Sequence, residues 1–206
     1  MSKKNKGNGL KQTVIFLDVD GVLTSVRCNG YYDFDLWAVN FLRWACTKSG
    51  AKIVMSSAWR TISGAKGWFT EVFDKHLHED WRTIDNRFKA ENRSEEIDEW
   101  LSRHPEVADF VVVDDTLYGL EKHKREGKLV HTSVEDGMLT RHMKDISTRL
   151  GLKGELPRLE PVFNEPVCFY RSREKRDINY NQWISELQER NARKLAEEAA
   201  NEVEIT

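Results

Sequence analysis

An α/β fold, a parallel sheet with helices on both faces, is the class this sequence predicts, and three observations predict it. Short apolar runs recur at Val14-Ile-Phe-Leu17, Ile53-Val-Met55 and Phe110-Val-Val-Val113, with the length and composition of strands buried on both faces. Segments of helical spacing separate them, which argues for crossover units rather than hairpins. Each run also ends in polar side chains: Asp18 and Asp20, Ser56 and Ser57, Asp114 and Asp115. In an open parallel sheet the carboxyl ends of the strands share one rim, and ligands bind there.

Taken in order, the first strand closes on Gly21, which lets the backbone turn sharply after Asp20. Residues 35–49 carry Leu36, Val39, Leu42 and Trp44-Ala45 at near-helical spacing, and Gly50 is placed to stop that helix. A second strand covers 51–55. Residues 61–92 are expected to be the least regular part of the core, with a short helix over 68–76. A helix over 94–102 takes Ser94 as its cap, Glu95 and Glu96 in its first turn, Ile97, Trp100 and Leu101 on one face, and His104-Pro105 as its stop. The third strand, 110–113, is followed by a short strand over 128–132 and a helix running from Thr140 to about Leu150. Beyond Gly151 the character changes. Pro157, Pro161 and Pro166 punctuate an irregular segment, and 179–201 reads as a charged, Ala-rich helix with a narrow apolar stripe of Trp183, Ile184, Leu187 and Leu195. The expected organisation is a flexible arm over 1–11, a catalytic domain over 12–152 and an extension over 153–206, whose helix docks on the core or mediates self-association.

Composition narrows the class. The 206 residues can bury one good core, and 32 basic against 34 acidic residues leave a net charge of −2, so no global field draws the protein to nucleic acid or membrane. Cys28, Cys46 and Cys168 match neither a disulfide framework nor a zinc site and are expected to be inert thiols in a reducing compartment. No apolar run approaches the roughly 18 residues of a membrane span. A soluble, cytoplasmic protein is the expectation.

The string Asp18-Val-Asp-Gly-Val-Leu-Thr24 resembles the first motif of the haloacid dehalogenase-like (HAD) phosphohydrolases. The resemblance covers about residues 14–150 and implies a Rossmann-type sheet and a phosphatase. It makes Asp18 the nucleophile that forms an aspartyl-phosphate, and Asp20 the acid that protonates the leaving oxygen and then activates water. It also implies Mg²⁺, held by Asp18, the backbone carbonyl of Asp20 and an acidic residue of the fourth motif. Asp114 is the candidate for that place, with Asp115 as its partner or alternate. For the second motif Ser57 fits best, because Ser57-Ala-Trp-Arg60 resembles the Ser-x-Trp-Arg run of the HAD subgroup associated with RNA-repair proteins; Ser56 is the alternative. Arg60 and Gly21 join the candidate substrate-binding residues, and Trp59 is read as core. The third motif departs from the family, which places a lysine there. Arg93 is the candidate and Lys89 the alternative.

The intervals where HAD enzymes insert a cap domain are short here, so a minimal cap or none is expected, with an open site suited to a large substrate. Asn29-Gly-Tyr-Tyr-Asp-Phe34 follows the first motif and resembles the Gly-x-Tyr-Asp of the phosphatase half of phage polynucleotide kinase-phosphatases; Tyr32 is its candidate base-stacking residue, packing of the loop being the other reading. The expected function is a Mg²⁺-dependent phosphomonoesterase acting on a nucleotide or a polynucleotide 3′ end. A phosphatase of metabolites or phosphoproteins, and a catalytically silent binding protein, are the alternatives.

Overall fold

The computed structural model describes residues 12–25, 34–84 and 93–157. All of them belong to the first of two compact units, Met1–Val167. The N-terminal arm, Tyr32, Lys89, Cys28, Cys168 and the helix expected over 179–201 lie outside the described residues.

Five parallel strands form the sheet: β1 (Gln12–Leu17), β2 (Lys52–Met55), β3 (Leu77–Arg82), β4 (Val107–Asp114) and β5 (Leu129–His131), in the order β3-β2-β1-β4-β5. The helices are α1 (Leu36–Ser49), α2 (Ala65–Phe73), α3 (Arg93–Arg103), α4 (Glu121–Arg125) and α5 (Thr140–Arg149). From β1 the chain steps outward to β2 and β3, then crosses back to β4 on the other side. The loops after β1 and β4 therefore diverge, and a crevice opens between them at the switch point. Leu17 pairs with Val113, so Asp18 and Asp114 lie on neighbouring rungs at the mouth of that crevice.

Why these residues build a two-sided sheet is visible in β1, where Val14, Ile15, Phe16 and Leu17 are all fully buried. Alternate residues face opposite sides of a strand, so both faces are covered. On one side Val14, Phe16, Val54 and Val112 pack with Ile97 and Trp100 of α3 and with Leu120 and Leu129. Phe16 meets Trp100 edge to face, with ring centroids 5.3 Å apart. The Trp100 indole N–H donates to the Asp80 carbonyl at 3.1 Å, tying α3 to β3.

Helix α1 starts and stops where its sequence indicates. Asp35 accepts from the Trp37 N–H at 2.8 Å as an N-cap, and Gly50 closes the helix at φ 76°. Two expectations need correction. Ser94 does not cap α3, which starts one residue earlier; its hydroxyl instead donates to the Gly119 carbonyl at 2.6 Å. The stretch expected to be irregular after residue 76 contains a whole strand, β3. As an edge strand it needs burial on little more than Trp81, and its Leu-His-Glu-Asp-Trp-Arg sequence carries no apolar run. Cys46 is a free, buried thiol that burial pushes up to about 12, which leaves it inert at neutral pH. Among the described residues no helix is long and apolar enough to cross a membrane.

Candidate active site

The carboxyl ends of β1, β2 and β4 and the first residue of α3 bring their functional side chains together. Asp18 follows β1 directly and is nearly buried, its N–H donating to the Val113 carbonyl at 3.0 Å. Asp114 ends β4 and is fully buried, and its carbonyl accepts from Thr132 N at 2.9 Å. Ligand atoms of Asp18, Asp114 and Asp115 all lie within 4.8 Å of one another. Such a group would repel itself apart without a cation, and Arg93 supplies one. Its guanidinium pairs with Asp114 and stands 3.4 Å from Asp18.

The proton affinities reflect that crowding. Burial raises the Asp18 carboxyl above its ordinary range, against the opposing pull of Arg93 and a hydrogen bond from Ser57. Asp114 is pushed up to about 7 by burial and then by the Asp18 charge, with Arg93 again opposing. Burial and Asp18 raise Asp115 as well. For Arg93 burial works against the charge, yet Asp18 and then Asp114 outweigh it and raise its pKa, so it stays cationic.

Gly21 fits this arrangement closely. Its φ of 66° is one that few side chains adopt, and a Cβ there would overlap the Asp115 carboxylate. Glycine is required for the loop after β1 to pass beside the second acidic residue of the β4 end.

The second strand delivers a turn rather than a single residue. Ser57 caps the 3-10 turn Ala58–Thr61, accepting from Trp59 N at 3.2 Å, and its side chain stands near enough to Asp18 to favour the charged form of that carboxyl. Ser56 is also fully buried, and its Oγ has no hydrogen-bond partner among the described residues. Of the two serines, Ser57 is the one tied to the nucleophile candidate.

Arg60 takes a place the sequence did not suggest. Its side chain is buried and turns back on the chain: Nη1 donates to the carbonyls of Ser56 and Ser57, both at 2.7 Å, and Nε to Thr83 O at 3.2 Å. Nη2 donates to Ile84 O at 3.3 Å and pairs with Glu96 at 2.7 Å. Arg60 thus staples the β2 turn to the end of β3 and to α3 instead of facing the carboxylate cluster. Glu96, which sequence reasoning used only as a first-turn acidic residue, is its counter-charge.

Trp59 is buried, as expected of core, but its indole also reaches the site. Nε1–H donates to Asp20 Oδ2 at 2.9 Å, and Thr24 Oγ1 donates to Asp20 Oδ1 at 3.2 Å. Both Asp20 oxygens are thereby held outside the carboxylate cluster. Thr24 stands within the first motif, four residues after Asp20, and that spacing was its only signal. Phe34 of the aromatic loop is buried with its ring 5.9 Å from that of Trp59, so it packs the loop and offers no free face.

No curated protein matches the chain, and no solved structure does. A family model described as the HAD domain in Swiss Army Knife RNA repair proteins matches residues 14–143, from the start of the β1 apolar run into α5. That span includes Asp18, Asp20, Ser57, Arg93 and Asp114, and on it the chain belongs to the HAD superfamily, in its RNA-repair-associated subgroup.

Proposed function

We propose that this HAD-type phosphatase domain is a Mg²⁺-dependent phosphomonoesterase that works through an aspartyl-phosphate on Asp18 and acts on the terminal phosphate of a nucleotide or polynucleotide, a 3′ end in the first instance. The observation that carries the reading is the juxtaposition at the switch point of Asp18, the two β4-end carboxylates and one guanidinium, with a second aspartate held apart by its own donors.

The donor set suits a hard divalent cation, being carboxylate oxygens that burial has made poor at standing alone. Asp18, Asp114 and the Asp20 backbone carbonyl would hold the ion, with Asp115 beside them, and its charge would offset that of an incoming phosphoryl group. The chain's own groups do the rest. The Asp18 carboxylate attacks phosphorus, with the Ser57 hydroxyl beside it able to donate to a phosphoryl oxygen. Arg93, already between Asp18 and Asp114, stabilises charge on the transferring oxygens in the place where the family uses lysine. Asp20 gives its proton to the leaving oxygen, then takes one from the water that attacks the phosphorus of the aspartyl-phosphate. Hydrolysis of that acyl phosphate breaks its P–O bond, regenerates the Asp18 carboxylate and releases phosphate.

The family description supports a nucleic-acid substrate, and the short intervals at both cap positions support a site that a chain end can reach. Phosphate release with and without Mg²⁺ tests the proposal, across mononucleotides, 3′- and 5′-phosphorylated oligonucleotides, sugar phosphates and a phosphopeptide, with Asp18→Asn as blank. Preference for a 3′-phosphorylated oligonucleotide is the expected result. Release confined to sugar phosphates or the phosphopeptide would overturn the substrate, and wild type equal to the blank throughout would overturn the activity.

A further inference from the structure

The large hydrophobic side chains left exposed among the described residues are Trp37, Ile62, Ile84, Tyr118 and Val134. Each follows the carboxyl end of a different strand: Trp37 opens α1 after β1, Ile62 ends the turn after β2, Ile84 follows β3, Tyr118 lies in the loop after β4, and Val134 in the loop after β5. In a parallel sheet those five connections share the rim that bears Asp18 and Asp114. Scattered exposed hydrophobics are ordinary on a protein surface. One from every strand end, all on the catalytic rim, is a pattern that asks for a cause.

The two aromatic members are also the most exposed, Trp37 at 49% and Tyr118 at 67%. They follow β1 and β4, the adjacent central strands that carry the nucleophile candidate and the buried acidic residue. We propose that Trp37 and Tyr118 form a stacking platform for the unpaired bases of a single-stranded polynucleotide whose terminal phosphate enters at Asp18, with Ile62 and Ile84 on one flank and Val134 on the other. This rests on the phosphatase reading and specifies how its substrate is held.

Nucleotides fit this rim better than a partner protein does. The exposed residues come singly from five separate connections, Trp37 from the first turn of α1 and the others from the segments after β2 to β5, and Ile62, Ile84 and Val134 have polar residues beside them in sequence, Ser63, Thr83, Ser133 and Glu135. A protein interface gathers its apolar residues into one desolvated core, whereas separated flat faces suit successive bases, each of which has a π-face to stack. Charge argues the same way about how the chain is gripped. The protein carries a net −2, and its rim mixes Lys66, Arg82 and Arg141 with Asp35, Glu135 and Asp136, so the grip on the nucleotides beyond the terminal phosphate comes from stacking. A duplex hides those faces. The platform therefore selects single strands and is indifferent to sequence.

The experiment compares kcat/KM on 3′-phosphorylated single strands of one, two, four and eight nucleotides with that on p-nitrophenyl phosphate, for wild type, Trp37→Ala, Tyr118→Ala, Trp37→Phe and Tyr118→Phe. In wild type kcat/KM should rise about tenfold or more from one nucleotide to four. Each alanine variant should lose most of that gain, through KM, while hydrolysing p-nitrophenyl phosphate as wild type does, and the phenylalanine variants should keep most of it. A second measurement needs no turnover: anisotropy of a labelled, unphosphorylated eight-nucleotide strand bound to Asp18→Asn, which should weaken about fivefold or more in either alanine background and depend only shallowly on salt. Alanine variants that keep the full length gain, or lose activity equally on the aryl phosphate, overturn the platform. A wild type without any length gain overturns it too, as does a preference for a phosphopeptide, which would assign the rim to a protein. Strand binding that depends on Trp37 and Tyr118 in a protein that releases no phosphate would keep the platform and overturn the phosphatase reading.

Discussion

The indole N–H of Trp59 donates to Oδ2 of Asp20 at 2.9 Å, so a residue from the β2 turn fixes the carboxylate at the end of the β1 loop. Tryptophan can only donate, which keeps Oδ2 an acceptor, whereas the Thr24 hydroxyl can give its proton to Oδ1 at 3.2 Å or to the Val19 carbonyl at 3.3 Å. Trp59→Phe preserves the buried ring and removes the donor. A hydrogen bond to a charged acceptor is worth about 1.5 to 3 kcal/mol, so kcat should fall roughly 10- to 100-fold with KM and melting temperature little changed. Steady-state kinetics on one aryl and one alkyl phosphate will tell; an unchanged kcat on both would remove Trp59 from the machinery.

Asp18→Asn should abolish turnover while the fold persists, because the amide cannot form the acyl phosphate. Asp20→Asn removes acid and base help, typically worth about 10²- to 10⁴-fold, and should leave activity reduced by that factor. Acid-quenched protein incubated with radiolabelled substrate should retain label in the Asp20 variant and none in the Asp18 variant. Labelling of the Asp18 variant would contradict the covalent assignment.

Arg93→Ala leaves the Asp18 and Asp114 carboxylates facing each other without their cation. Activity should drop on the order of 10²-fold, the usual loss for one donor to a developing oxyanion. Arg93→Lys, which restores the family's usual residue and the charge, should recover part of it. Equal losses in the two variants would show that geometry rather than charge is what this position supplies.

Asp114 predicts the pH response of the metal-free protein. Burial, then Asp18, lifts it from 3.8 to about 7, so the folded state holds a proton that the unfolded chain has already released. Stability contributed by that proton is complete below pH about 4 and is lost as pH rises to about 7. In chelator the melting temperature should therefore decline across that window. Added Mg²⁺ should raise it most at the alkaline end, and Asp114→Asn should flatten the decline. Calorimetry showing the same slope in the Asp114 variant would locate the proton elsewhere.

Among the described residues Arg60 is set against five acceptors, one of them Glu96 at 2.7 Å. Breaking a buried pair by removing one partner costs about 3 to 5 kcal/mol. Arg60→Ala should therefore destabilise the domain by about that amount in urea unfolding. Arg60→Lys should rescue little, since an ammonium group cannot reach acceptors spread along a guanidinium fork. Near-native stability of the lysine variant would refute the staple.

What could be read from sequence followed the physics of each segment. The strand ends at Asp18 and Asp114 were legible because each closes a short apolar run of strand length, and α1 was legible because Asp35 and Gly50 mark its limits. Strand β3 was not, because an edge strand with His78, Glu79 and Asp80 at its centre has no run to betray it. Arg60 was misplaced, and Trp59, rightly read as core, was read only in part. A guanidinium beside a catalytic serine invites a phosphate contact, yet it folds back on its own turn; an indole in a hydrophobic setting invites core, yet its one polar atom faces the site. Both distinctions depend on where the neighbouring loops pass, which local sequence does not encode.

The pairing of Leu17 with Val113 has a practical consequence. Asp18 and Asp114 meet only because β1 and β4 align on that rung, and a slip of one residue would turn one of the two toward the opposite face of the sheet. Under the proposed function, catalytic turnover is therefore a readout of strand alignment. Specific activity, measured through refolding or across a library of core variants, would report the fraction of molecules whose central strands have found their native partners, a quantity that compactness and helix content leave unseen.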